Sequence, residues 1–212
     1  MEEKLVKSKQ RVADHGEVFT PAWLVDSMLD LVKVESERID SRFLEPACGS
    51  GNFLVAVLRR KLETVDKRYG KSEFEWRHYG LLAVMSIYGI ELLADNTEEC
   101  RENLLDVYRD HFKMQPDDVW TKAASNVLAV NVINGDALTL TFTNGQDLVF
   151  PEWGYLGKGL FQRRDFGYRS LTKRSSLGEG MFEDFDEKAL NLQDNLKSVQ
   201  DYAPMTVEEI AK

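Results

Sequence analysis

The chain has 212 residues, 43% of them hydrophobic, which is enough to bury the core of one α/β domain. Its formal net charge of -9 excludes a uniformly basic surface, so any contact with nucleic acid requires a local basic patch. Two distant cysteines and three scattered histidines indicate neither a disulfide framework nor a metal site. No apolar run approaches the ~18 residues of a membrane span, and the first residues lack the apolar core of a signal peptide, so we expect a soluble cytoplasmic protein.

A charged arm, residues 1–11, comes first, and we expect it to be solvated. It leads through HGEVFTP to a helix in which Thr20 is placed to act as the cap and Pro21 to take the first position. The next segment, WLVDSMLDLV, repeats apolar residues at helical spacing. One interpretation is an amphipathic helix packed on a sheet. In the other, the helix N-terminus and the Thr20 hydroxyl also receive a ligand carboxylate.

Residues 43–58, FLEPACGSGNFLVAVL, join a short apolar strand to a helix that begins near Asn52. The small residues between them that let backbone amides approach a ligand are Ala47, Cys48, Gly49, Ser50 and Gly51. Glu45 narrows the choice of ligand, because its carboxylate repels a pyrophosphate but suits the ammonium group of S-adenosylmethionine. The spacing of the glycines is weak evidence by itself, since Leu54 replaces the third glycine of the dinucleotide fingerprint.

Two further strands lead into acidic residues. Glu91 follows the strand SIYGI, where it can accept hydrogen bonds from two ribose hydroxyls, or else begin the helix that we place at 95–112. Asp136 follows a third strand that we place at 126–133. Because the carboxyl ends of parallel strands meet at one sheet edge, we expect these two residues to lie beside Glu45 at a ligand site.

From residue 139 the character of the sequence changes. Residues 140–150, on either side of an Asn144-Gly145 turn, suggest a hairpin or a fourth strand. The stretch 152–174 is basic, aromatic and glycine-rich, which suits the phosphates and stacked bases of single-stranded or extruded nucleotides. The cations assigned to phosphate contacts are Lys158, Arg163, Arg164 and Arg169. The alternative is a loop held by buried aromatic rings with solvated arginines.

The first two-thirds of the chain resembles the gamma-type N6-adenine DNA methyltransferases of restriction-modification systems. Four motifs occur in that family's order: GEVFTPAWLVDSML, FLEPACGSGNFL, YGIELLADNTEECRENLL and NVINGDAL. The resemblance implies a Rossmann-like S-adenosylmethionine-dependent methyltransferase fold, with an open, twisted, mainly parallel sheet and helices on both faces. We expect an N-terminal arm and helix in residues 1–42, a cofactor-binding core in 43–155, and a basic, aromatic loop and an acidic, partly ordered tail in 156–212.

The resemblance also implies how the cofactor S-adenosyl-L-methionine is held. Its methionine end is bordered by Phe19, Thr20 and Pro21, its methionine and ribose by Glu45, Ala47 and Gly49, its ribose hydroxyls by Glu91, and its adenine by Asp136, Leu92 and Ala137.

The family's catalytic motif, Asn or Asp followed by two prolines and an aromatic residue, has no intact counterpart. Counting forward from Asp136 places Glu152 to Tyr155 in its register, with only the aromatic residue retained. In the family, the polar side chain accepts a hydrogen bond from the target amine while the aromatic ring stacks on a flipped base. We expect Glu152 and Tyr155 to take these roles, although Trp153 and Gly154 replace the prolines that preorganise the site.

These observations favour an adenine-N6 DNA methyltransferase whose target recognition comes from a specificity or restriction subunit. The alternative is a catalytically inactive subunit or remnant that binds S-adenosylmethionine or nucleic acid. A dinucleotide-dependent dehydrogenase fits less well, because Glu91 lies 40 residues beyond Gly51, about twice the usual interval.

Overall fold

The structure is a computed structural model, and it describes residues 5–168 and 198–212. In chain order the described elements are α1 (Lys9–His15), α2 (Ala22–Leu31), α3 (Lys33–Glu37), β1 (Phe43–Glu45), α4 (Asn52–Tyr69), α5 (Glu73–Met85), β2 (Ile87–Glu91), α6 (Ala94–Phe112), α7 (Val119–Asn131), β3 (Val132–Asp136), β4 (Thr141–Phe142), β5 (Val149–Gly157), β6 (Leu160–Gly167), β7 (Gln200–Asp201) and α8 (Val207–Ile210). Within these ranges no helix is long and apolar enough to span a membrane.

A mixed sheet of order β1-β2-β3-β4 forms the centre of the fold. β1, β2 and β3 run parallel, with Glu45 opposite Gly89 and Glu91 opposite Asn134, and β4 pairs antiparallel with β3. Helices α4 and α6 are amphipathic and pack on these strands, as the spacing of their apolar residues requires. The predicted α/β chain with a mainly parallel sheet is therefore confirmed at this level.

The core lies where β2 meets the helices. All five residues of β2 are buried, as is typical of a parallel strand covered on both faces. Leu54 and Leu58 of α4 and Leu81 of α5 have no exposed surface. Burying each such side chain stabilises the fold by roughly 1.5–3 kcal/mol.

Lys61, in the middle of α4, is fully buried and joins three parts of the chain. Its Nζ donates hydrogen bonds to the carbonyl oxygens of Arg38 and Ile39, both at 3.1 Å, and to that of Ser41. It also donates to Ser86 Oγ at 2.8 Å. The ammonium group thus fixes the loop before β1 against the turn that leads into β2.

A second, antiparallel sheet of order β5-β6-β7 packs near the beginning of the parallel strands. Trp153 of β5 donates from its indole Nε1 to the side-chain oxygen of Asn131 at 3.0 Å, and Asn131 immediately precedes β3. Glu152 pairs with Arg42, which immediately precedes β1. The β5-β6 hairpin therefore lies at the amino-terminal edge of the parallel strands.

Two segments differ from the sequence-based expectation. We expected residues 126–133 to alternate into a strand, but α7 continues to Asn131 with a buried face, and Asp118 caps it by accepting from Trp120 N at 2.8 Å. The expected basic loop is strand β6 from Leu160 to Gly167, because its backbone pairs with β5 along almost its whole length.

The start of α2 also differs. We expected Thr20 to cap the helix and Pro21 to be its first residue. Instead, Pro21 occupies the cap position, Ala22 is the first helical residue, and no side chain caps the helix.

Candidate functional site

The glycine loop after β1 is tightly folded against its neighbours. Cys48 N donates to Ile90 O at 3.1 Å, which fastens the loop to the end of β2. Gly49 and Gly51 have φ values of +53° and +91°, a region that favours glycine. A Cβ atom at Gly49 would lie 3.0 Å from the ring of Phe19, so Phe19 packs against this loop.

Glu91 connects the end of β2 to the same loop. Its Oε2 accepts from Gly49 N at 2.8 Å and its Oε1 from Leu93 N at 3.0 Å. The side chain of Asn96 donates to Oε1 at 3.4 Å. Glu91 is 7% exposed, and these donors hold its carboxylate in one orientation. Oε1 already accepts two hydrogen bonds, whereas Oε2 keeps a second lone pair for a further donor.

Glu45 lies at the same edge with an unsatisfied side chain. Its Oε2 is buried and has no hydrogen-bond partner among the described residues. Burial, followed by the negative charge of Glu91, raises the pKa of Glu45 to about 7. Such a carboxyl group is poised to receive a cationic donor, which would restore its ionised form.

The end of β3 completes this edge. Asp136 Oδ1 accepts from Leu138 N at 2.8 Å and Thr139 N at 3.4 Å, and these backbone donors lower the pKa of its carboxyl group. Ala137 is half-buried beside it. Two apolar side chains remain uncovered here, Leu92 at 54% and Leu138 at 94% exposure. We define Glu45, Glu91 and Asp136, with the glycine loop, as the carboxyl edge.

Hydrogen bonds and ion pairs join the N-terminal arm to the start of α6 beside this edge, and the sequence analysis did not predict them. Lys7 Nζ donates to Asn96 Oδ1 at 2.6 Å, and Asn96 Nδ2 donates to Glu17 Oε1 at 3.0 Å. Arg11 pairs with Glu17 and, at 2.7 Å, with Asp95, so the arm expected to be solvated is held in place over residues 7–11.

The remaining predicted cofactor residues lie beside the glycine loop. Thr20 O accepts from Asn52 Nδ2 at 3.3 Å, so the segment containing Phe19, Thr20 and Pro21 runs along the start of α4. Ala47 is exposed in the loop itself. The structure thus brings the predicted cofactor residues to one edge.

The structure does not bring the predicted catalytic residues to that edge. Glu152 pairs with Arg42 at 2.5 Å and with Arg164, at the amino-terminal edge of the sheet. The Tyr155 hydroxyl accepts from Gly159 N at 3.2 Å. Its ring packs against that of Tyr79, with 5.4 Å between the centroids.

The predicted phosphate contacts lie on the same hairpin. Lys158 is in its turn, with φ of +53°. Arg163 binds Asp165 through two hydrogen bonds of 2.7 and 2.8 Å, and Arg164 pairs with Glu152, so both guanidinium groups have carboxylate partners. Arg169 lies outside the described residues.

Over residues 5–168 and 198–212, no group of three His, Cys, Asp or Glu side chains is arranged to hold a metal ion.

A family model described as N-6 DNA Methylase matches residues 3–135. The match includes the glycine loop and Glu91 and ends one residue before Asp136. Searches among curated proteins and solved structures found no match.

Proposed function

Because the chain belongs to the N-6 DNA methylase family, we propose that it is a DNA methyltransferase-like protein that binds S-adenosyl-L-methionine at the carboxyl edge. The observation that carries this proposal is the buried, unpartnered Oε2 of Glu45 beside the glycine loop. An ammonium group is the donor that this carboxyl group lacks. The parallel β1-β2-β3 order and the glycine loop support a Rossmann-like methyltransferase fold for this part of the chain.

The other residues of the edge fit the rest of this cofactor. Oε2 of Glu91 retains a lone pair for a ribose hydroxyl while it holds the loop through Gly49 N. Asp136 can accept from the adenine amine, with Leu92 and Ala137 against the adenine ring. When bound, the cofactor supplies a methyl group on a sulfonium centre, and the family favours adenine N6 of DNA as the acceptor in a restriction-modification context.

A second candidate function is cofactor binding without chemistry, with a specificity or restriction subunit as the partner. The position of Glu152 favours it, because this carboxylate is held by Arg42 and Arg164 away from the carboxyl edge. The methyl-transfer roles of Glu152 and Tyr155 stay predictions. If Glu152→Ala and Tyr155→Ala each left methylation unchanged, neither residue would have a catalytic role.

Cofactor binding is tested first, by calorimetric titration of the pure chain with S-adenosylmethionine. We expect Glu91→Ala to weaken binding at least about tenfold, because hydrogen bonds to a charged group contribute roughly 1.5–3 kcal/mol. Glu63→Gln, an exposed change on α4, serves as the control and should bind as the wild type does. Absence of binding by the folded wild-type chain would overturn the proposal.

Nucleoside mass spectrometry then separates the two candidates. Unmethylated duplex and single-stranded DNA are incubated with the chain and S-adenosylmethionine. N6-methyladenine that disappears with Asp136→Ala supports the methyltransferase. Cofactor binding without product supports the non-catalytic subunit.

A further inference from the structure

A cavity of about 380 Å³ lies at the amino-terminal edge of the sheet, on the side away from the carboxyl edge. It is bounded by the end of α4, by α5, by the start of β1 and β2, and by β5 of the hairpin. The aromatic side chains that line it are Tyr69, Tyr79, Tyr88, Trp153 and Tyr155. Its volume falls within the range of small-molecule sites. We call it the amino-edge pocket.

The rings of this pocket are arranged for stacking. Tyr69 and Tyr79 are stacked, with 3.7 Å between centroids and 5° between planes. Tyr155 meets Tyr79 edge-on, with 74° between their planes. Both Tyr69 and Tyr79 are half-buried, and because each covers one face of the other, a planar ligand would stack on the outer face of one of these rings.

The charges at the rim of the pocket favour an anion. The rim carries the carboxylate of Asp40, which pairs with Arg38 at 3.1 Å, and the guanidinium group of Arg42, which pairs with Glu152 of the hairpin. Glu152 also pairs with Arg164, so the three charges of Arg42, Glu152 and Arg164 leave a net positive charge beside the rim. The side chain of Arg42 is 56% exposed.

Arg68, at the end of α4, adds a further cation to the rim. It is exposed, and the described part of the chain offers it no ion pair. Its guanidinium group is therefore available to a phosphate, which it can bind through two hydrogen bonds.

We propose that the amino-edge pocket binds a nucleotide, with the base stacked among its tyrosines and the phosphate at Arg68 and Arg42. A base supplies the planar ring and a phosphate the anion, which is the combination that the lining residues suit. The same chemistry is offered by a free mononucleotide and by one nucleotide of a single-stranded nucleic acid. The pocket lies at the opposite ends of β1, β2 and α4 from the carboxyl edge and shares no residue with it, so this site does not depend on S-adenosylmethionine binding.

The test is calorimetric titration of the full chain with adenosine 5′-monophosphate, with adenosine as the ligand that lacks only the phosphate. A single strand of about ten nucleotides, with and without a 5′-phosphate, is the second probe. We expect measurable binding of the monophosphate and at least about fivefold weaker binding of adenosine. If the strand competes with the monophosphate, the natural ligand is a strand nucleotide; if it does not compete, the ligand is a free nucleotide.

Variants locate the site. Arg68→Glu reverses an exposed charge and should weaken binding of the monophosphate at least about fivefold. Arg59→Glu, the same change at an exposed position earlier in α4, should leave this binding unchanged. Tyr69→Leu removes a stacking ring and should also weaken binding about fivefold or more, whereas Tyr69→Phe retains the ring and the binding.

Three outcomes would overturn the proposal. The first is absence of binding by both the monophosphate and the phosphorylated strand. The second is equal binding by adenosine, and the third is unchanged binding in Arg68→Glu and Tyr69→Leu. Because Arg68 and Tyr69 lie at the end of α4 that is remote from the glycine loop, their effects distinguish this pocket from the carboxyl edge even if the chain does not bind S-adenosylmethionine.

Discussion

Replacing Glu45 by Gln should stabilise the chain at alkaline pH and leave its stability almost unchanged at acid pH. Burial and the neighbouring Glu91 raise the pKa of Glu45 from its ordinary value of 4.5 to about 7, so the folded chain retains this proton where the unfolded chain has lost it. By linkage, the associated stability is present below pH 4.5 and is lost as the pH rises through about 7. A glutamine has no proton to lose, so the variant avoids this loss.

The magnitude follows from the same values. The rise from 4.5 to about 7, at about 1.4 kcal/mol for each pH unit, corresponds to about 3 kcal/mol in favour of the variant once Glu45 is ionised. Near pH 5 the gain should be below about 1 kcal/mol. Urea unfolding followed by circular dichroism measures both, on the wild type and on Glu45→Gln.

Glu63→Gln is the control for this measurement. Its carboxylate is exposed on α4, so its stability should differ from that of the wild type by less than about 0.5 kcal/mol at either pH. A gain of equal size at both pH values for Glu45→Gln, or a loss at about pH 8, would refute the reasoning that an uncompensated buried carboxylate destabilises the free site.

Three further changes test the fold around the two edges. Lys61→Met keeps the buried stem of the side chain but leaves the acceptors around Nζ unpaired, so the free energy of unfolding should fall by about 3–5 kcal/mol in urea titrations. The control is Lys67→Met at an exposed position, which should change the free energy of unfolding by less than about 0.5 kcal/mol. Gly51→Ala forces a side chain onto φ of +91° and should lower the free energy of unfolding by about 1–3 kcal/mol in thermal melts. Asn131→Ala leaves the indole of Trp153 unpaired, and we expect a loss of about 1–3 kcal/mol together with a red-shifted tryptophan emission; unchanged emission would contradict the anchoring role.

The sequence was most informative where local pattern and sheet geometry agree. Short apolar strands that run into Glu45 and Glu91 placed the edge correctly, because parallel strands present their carboxyl ends together. The helix expected at 95–112 is α6, from Ala94 to Phe112. In contrast, the end of α7 was interpreted as a strand, since the segment SNVLAVNVI satisfies an alternating pattern as well as a helical one.

Polar contacts between residues far apart in the sequence could not be predicted from its pattern. Lys7 meets Asn96, and Arg42 meets Glu152, across 89 and 110 residues of sequence, and no spacing rule relates such pairs. The count from Asp136 to Glu152 assumed that the chain returns to the carboxyl edge after β3. Instead, the chain turns through β4 and enters a hairpin at the opposite edge, where Glu152 pairs with Arg42. The position of that hairpin depends on packing, which the sequence pattern alone did not reveal.

The position of β1 at one side of the sheet has a consequence for how this fold presents a ligand. In doubly wound folds, ligands bind at the topological switch point, where the strand order reverses beside the first strand and a second half of the sheet forms the facing wall. In the described ranges β1 pairs with β2 alone, and Leu44 of β1 is 38% exposed. A strand added in parallel along the outer side of β1 would end beside Glu45. In the described part of the chain the outer side of β1 is thus open to pairing, and a strand placed there would form a second wall beside Glu45.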